Sequence, residues 1–137
     1  MNEEKNLLLL VDDDSVCNSI NKIILNKKFG TDTEYEIVSY ISPLEGFNYL
    51  SKILSENTFE KVIILLDINM PEMTGWEFLD EYSQLPERKT EVVIFILTSS
   101  VNQGDIDTAA ENNNVMGFMT KPLTSENAEK LFEVMAN

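Results

Sequence analysis

Two patterns alternate along the chain: short uninterrupted apolar runs, and longer stretches in which apolar residues recur at helical spacing. Val62 to Leu66 is the plainest of the first kind, five apolar residues opened by β-branched side chains. Asp67 follows at once, then a loop holding Pro71 and Gly75. Such a run fits a strand buried on both faces, as in a parallel sheet, and is too short for a buried helix. Leu7 to Val11 repeats the pattern and ends in Asp12, Asp13 and Asp14. Val92 to Leu97 repeats it again and ends in Thr98, Ser99 and Ser100. Two further strands are mixed: Tyr35 to Ile41, interrupted by Glu36 and Ser39, and Val115 to Thr120, broken by Gly117 and followed by Lys121 and Pro122. Mixed composition suits sheet edges, where burial is incomplete.

Helical spacing predicts a helix from about Ser15 to Lys28 with Val16, Cys17, Ile20, Ile23 and Ile24 as its apolar residues. Asp14 or Ser15 caps it, and Lys27 and Lys28 complement the negative end of its dipole. Ser42-Pro43-Leu44-Glu45 combines an N-cap, a proline at the first helical position and a capping-box glutamate. The helix it opens runs to about Ser55, with Phe47, Leu50, Ile53 and Leu54 inward, and a polar linker over 56–61 follows. Thr74-Gly75-Trp76-Glu77 is a second capping-box pattern, opening a helix with Trp76, Leu79 and Tyr82 inward. A weaker helix over about Asn102 to Asn113 rests on Ile106, Ala109 and Ala110. The last, about Ser125 to Met135, buries Ala128, Leu131, Phe132 and Met135.

Strand and helix thus alternate five times, which calls for an α/β fold: a doubly wound, five-stranded parallel sheet with helices on both faces. The order 2-1-3-4-5 puts the three apolar strands inside and the mixed ones at the edges. Its switch point lies between the first and third strands, so a ligand crevice is expected between Asp12/Asp13 and Asp67.

Composition narrows the function. With 137 residues and 43% hydrophobic content, a single domain over residues 1–137 is expected. The formal charge of −14, from 24 acidic and 10 basic residues, argues against direct binding to nucleic acid or an anionic membrane. The single cysteine, Cys17, permits no internal disulfide and reads as a core residue, and neither a signal peptide nor a membrane span is apparent. A cytoplasmic location is expected. Histidine is absent, which removes histidine metal ligands, histidine bases and any role as a phosphohistidine donor.

Four strands now deliver chemistry to one rim: Asp12 and Asp13 from the first, Asp67 from the third, Thr98 from the fourth and Lys121 from the fifth. Three carboxylates together repel one another, by ~4 kcal/mol per pair at ~4 Å and an effective dielectric of ~20. Such a cluster raises its pKa values or holds a divalent cation, and an all-oxygen set suits Mg²⁺ or Mn²⁺ rather than Zn²⁺. With cation and lysine in place the site becomes a receptor for a phosphoryl group, one carboxylate serving as nucleophile. Asp14 reads as a helix cap, and Trp76 and Tyr82 as packing.

The VDDD after the first strand, LLDINMPEMTG, LTSS and the Lys-Pro pair, in that order, resemble the receiver domain of two-component response regulators, over nearly the entire chain. The resemblance implies that Asp67 is the phosphoacceptor and Asp12 and Asp13 the Mg²⁺ carboxylates, with Asn69 lending a backbone carbonyl. It further implies that Thr98 is the switch hydroxyl, with Ser99 beside it at the phosphate, that Phe118 is the switch aromatic, and that Lys121 pairs with the phosphate. It implies a cis Lys121-Pro122 bond. Asn69 and Ser100, two residues beyond Asp67 and Thr98, are expected to tune the lifetime of the acyl phosphate. Two features depart from the family pattern: a long span from Asp13 to Asp67, and Phe118 where a tyrosine is common.

The expected function is a phosphoacceptor switch rather than an enzyme, loaded by a sensor histidine kinase or histidine phosphotransfer protein. So little chain follows the last helix that output is expected through binding, on the face of the fourth helix, fifth strand and fifth helix. A haloacid-dehalogenase-type phosphatase is the alternative, but it wants a second aspartate where Asn69 stands. A flavodoxin-like FMN carrier would need phosphate donors where Asp12 to Asp14 would repel a phosphate.

Overall fold

In the computed structural model, residues 6–30, 34–99 and 102–136 are described. Five strands, β1 (Asn6–Val11), β2 (Tyr35–Tyr40), β3 (Lys61–Leu66), β4 (Glu91–Thr98) and β5 (Val115–Thr120), alternate with five helices. These are α1 (Ser15–Phe29), α2 (Pro43–Ser55), α3 (Gly75–Ser83), α4 (Gln103–Glu111) and α5 (Ser125–Ala136). All strand pairs are parallel, in the order β2-β1-β3-β4-β5. The apolar strands are central, and every residue of β3 is buried, whereas β2 and β5 stay largely half-exposed at the edges.

Alternation along each central strand feeds two cores. Leu7, Leu9, Val11, Ile64 and Ile96 point to the face covered by α2, α3 and α4, where they meet Leu50, Phe78 and Ala109. Leu8, Leu10, Ile63, Leu65 and Phe95 point to the other face, against Leu25 and Phe29 of α1 and Leu131 and Met135 of α5. No helix among the described residues is long and apolar enough to cross a membrane.

Helix α1 departs from expectation. Val16, Ile20 and Ile23 are 65%, 46% and 66% exposed, while Asn18, Asn21, Leu25 and Phe29 form the buried face. Two stripes of the helix compete, and the cap decides between them. Asp14 accepts from the amides of Val16 and Cys17, which starts the helix three residues past Asp12 and turns Asn18 toward the strand end. Cys17, expected in the core, is half-buried and sits beside Asp12 instead.

Smaller differences have local causes. Phe78 is a fully buried anchor of α3, whereas Trp76 is only partly buried against the same core. Lys61, placed by its charge in a polar linker, begins β3; it is 7% exposed because its amine donates to the Val134 carbonyl of α5 at 2.7 Å. Gly117 does not break β5. A Cβ there would stand 3.1 Å from the Phe95 ring, so the ring's place in the core demands the glycine.

Candidate functional site

The carboxyl ends of β1, β3, β4 and β5 meet at one rim. Asp12 continues from β1, its amide donating to the Tyr40 carbonyl at 3.1 Å; Asp67 continues from β3, its amide donating to the Val11 carbonyl at 3.0 Å. The β1–β3 register that aligns Val11 with Leu66 therefore sets the two aspartates side by side. Carboxylate oxygens of Asp12, Asp13 and Asp67 lie within 4.8 Å of one another. Asp12 and Asp67 are buried, at 4% and 5% exposure, while Asp13 faces solvent. One open side and three oxygen donors fit a hard divalent cation that keeps some of its waters.

Lys121 joins the pair. Its amine lies 2.6 Å from Asp12 Oδ2 and 3.5 Å from Asp67 Oδ2. The Lys121 amide donates to the Thr98 carbonyl at 2.9 Å, and the Lys121-Pro122 bond is cis, as the family resemblance implies. Thr98, fully buried, donates its hydroxyl to the Asp67 carboxylate. The Ile68 amide donates to Asp67 Oδ1 at 2.9 Å.

Burial first, and the charge of Asp12 second, raise the Asp67 pKa above its ordinary value; Lys121, the Thr98 hydroxyl and the Ile68 amide oppose them without cancelling them. For Lys121 the balance goes the other way. Burial disfavours its charge, but the bond to Asp12 and the field of Asp67 outweigh it and lift the amine's pKa.

The other expected residues are placed unevenly. Asn69 is exposed two residues beyond Asp67, and Ser99 is exposed past the end of β4. Ser100 lies outside the described residues. Phe118 is not at the carboxylates: it is half-buried in β5, opposite Ile96, lining a cavity of about 280 Å³ with Ile106, Ala109 and Val115. Asp14 is the α1 cap, as expected.

Three site residues escaped the sequence reading. Gly75 packs under the loop after β3 so closely that a Cβ would stand 2.6 Å from the Asp67 carbonyl oxygen. The only signal was its place in a turn. Ser42 donates its hydroxyl to Glu72 at 2.9 Å, tying the start of α2 to the loop after Asp67. Asn18 donates to the Asp12 carbonyl at 2.9 Å; a polar residue on the true inner face of α1 was its signal, once that face is known.

Comparison with known proteins assigns this five-stranded doubly wound sheet to a family. The model of the response regulator receiver domain matches residues 8–133. The chain belongs to that family, and it is a receiver domain of two-component signalling, a signalling switch. Response regulator Rcp1 of Synechocystis sp. is 28% identical over 98% of this chain and 89% of its own. Two-component response regulator ORR1 of Oryza sativa subsp. japonica is 29% identical over 90% of this chain, which spans 52% of that protein. Among solved structures, a two-component response regulator from Cytophaga hutchinsonii superposes with a TM-score of 0.82, at 27% identity and 98% coverage of both chains. A Mn(2+)-bound form of Rcp1 superposes with a TM-score of 0.64 at 24% identity, covering 94% of this chain and 90% of that one. Nothing in these comparisons favours a haloacid-dehalogenase-type phosphatase.

Proposed function

We propose that Asp67 accepts a phosphoryl group from a phosphohistidine donor, a sensor histidine kinase or histidine phosphotransfer protein, and that the change alters binding to a downstream protein. The observation that carries this reading is the placement of Asp67 among Asp12, Asp13 and Lys121, with oxygens of the three carboxylates within 4.8 Å of one another. Asp12, Asp13, Asp67 and the main-chain carbonyl of Asn69 would hold Mg²⁺ or Mn²⁺; the relative bound to Mn²⁺ supports that class of ion. A bound cation supplies charge neutralisation for the phosphoryl oxygens. An oxygen of Asp67 attacks phosphorus, the phosphorus–nitrogen bond of the donor breaks, and the imidazole leaves with the electron pair. Lys121 exchanges its contact with Asp67 for a phosphoryl oxygen, and the Thr98 hydroxyl donates to another. Asn69 and Ser100 stand two residues beyond Asp67 and Thr98 and tune the water-driven loss of the group.

Intact mass spectrometry after incubation with acetyl phosphate tests this. One added phosphoryl group should appear with Mg²⁺, and none with EDTA or in Asp67→Asn. Undiminished labelling of Asp67→Asn would remove that residue from its role.

A further inference from the structure

Two carboxamides occupy the inner face of α1 where apolar side chains would ordinarily stand. Asn18 is 3% exposed and Asn21 is 2% exposed, while Val16, Ile20 and Ile23 of the same helix face outward. The Oδ1 atoms of both asparagines have no hydrogen-bond partner among the described residues. Burying an amide oxygen without a partner is destabilising, so each asparagine calls for a compensating role. Their donors differ. Among the described residues Asn21 Nδ2 reaches only the Cys17 sulfur, at 3.6 Å, whereas Asn18 Nδ2 reaches the main-chain carbonyl of Asp12 at 2.9 Å, in a fully buried contact.

Besides the Cys17 thiol, four contacts tether Asp12. Its amide donates to the Tyr40 carbonyl, its carbonyl accepts from Asn18, its Oδ1 accepts from the Asp14 amide at 3.0 Å, and its Oδ2 pairs with Lys121. The last two tethers use the same oxygens that a cation would use. The first two act on the backbone and are independent of what the carboxylate does. Of these, the Tyr40 contact continues the β1–β2 ladder. Asn18 is the single side chain among the described residues that grips the Asp12 backbone.

We infer that Asn18 is a positioning residue for the cation site: through the Asp12 carbonyl it fixes the direction from which the Asp12 carboxylate meets the ion. The inference rests on the reading of Asp12, Asp13 and Asp67 as a divalent-cation site. Its consequence is one of selectivity. Mg²⁺ demands near-octahedral geometry at about 2.0–2.1 Å, whereas Ca²⁺ accepts six to eight oxygens in flexible arrangements. Loosening one ligand should therefore weaken Mg²⁺ far more than Ca²⁺.

Chemical-shift titrations of the intact chain with Mg²⁺ and with Ca²⁺ test this. In Asn18→Leu and Asn18→Ala the Mg²⁺ dissociation constant should rise by about tenfold or more, as loss of an outer-sphere partner does. The Ca²⁺ constant should rise by less than about threefold, given the tolerance of that ion. Asn21→Leu removes the other buried carboxamide without touching Asp12 and should leave both constants unchanged. Metal-free melting of Asn18→Leu should stay within a few degrees of wild type, since the lost unpartnered acceptor offsets the Asp12 carbonyl left without its donor. Equal weakening of both ions, an unchanged Mg²⁺ constant, or equal effects of Asn18→Leu and Asn21→Leu would each overturn the inference while leaving the cation site standing. A wild-type chain that binds no Mg²⁺ would overturn the site and the inference together.

Discussion

At Asp67, opposing influences on one carboxylate resolve into a stability effect whose sign can be worked out. Its folded pKa is raised, with burial the largest cause and Asp12 the next. A carboxyl raised above its unfolded value binds its proton more tightly when folded, so stability falls as pH climbs from the unfolded pKa through the folded one. Above that window the ionised carboxylate is a standing penalty in metal-free protein. Asp67→Asn should therefore melt a few degrees higher than wild type at neutral pH in EDTA. The difference should shrink as pH is lowered through the window. Lys121 does not titrate in this window: its pKa is raised, so its pairing is fully present below its unfolded value, about 10.4, and is lost only at higher pH. A lower melting temperature for Asp67→Asn at neutral pH would mean that Lys121, the Thr98 hydroxyl and the Ile68 amide outweigh burial.

Among the elements, α1 gives the sharpest test because two of its faces compete. Ile23 is 66% exposed, whereas Leu25 is completely buried between α1 and the sheet. Ile23→Ser should change unfolding free energy by less than ~0.5 kcal/mol, while Leu25→Ala should cost ~2–5 kcal/mol, both read from urea denaturation. The reverse order would restore the apolar stripe of Val16, Ile20 and Ile23 as the inner face. Helix α3 shows the opposite situation, in which local signals and packing agree. Thr74 and Glu77 exchange the two bonds of a capping box, and Phe78, Leu79 and Tyr82 follow on the buried side.

For the molecule as a whole, the phosphoryl group proposed for Asp67 needs a route to a surface. Thr98 donates to Asp67, and under the proposed phosphorylation its hydroxyl would move toward a phosphoryl oxygen and free room on the α4 side of the sheet. Phe118, opposite Ile96 on the neighbouring strand, is half-buried beside a cavity under α4, and Ala109 is the one fully buried residue of that helix. Burying the ring fully is worth ~1.5–3 kcal/mol. That is enough to bias a two-state equilibrium by about one to two decades. Beryllofluoride should therefore shift NMR resonances of α4, β5 and α5 more than those of any other surface outside the acid pocket. Phe118→Ala should still accept a phosphoryl group yet lose those distant shifts. Shifts gathered on α1 and α2 would place the output elsewhere.

The apolar runs ending in Asp12, Asp67 and Thr98 determined most of the architecture by themselves. A five-residue apolar strand has few places to go except the middle of a parallel sheet, and its length dictates where its terminal polar residue emerges. The rim of Asp12, Asp13, Asp67, Thr98 and Lys121 was legible for that reason. What the tertiary structure decided were contacts between segments distant in sequence and orientations that local pattern leaves open. Periodicity identifies a helix but not its rotation when both faces carry candidates, so α1 was set by its cap at Asp14 and by Asn18 reaching the Asp12 carbonyl. Lys61 is buried because a carbonyl of α5 waits for its amine, and Gly75 and Gly117 are glycines because Asp67 and Phe95 come too close for a side chain. Each of these depends on a partner that only the assembled sheet brings within reach.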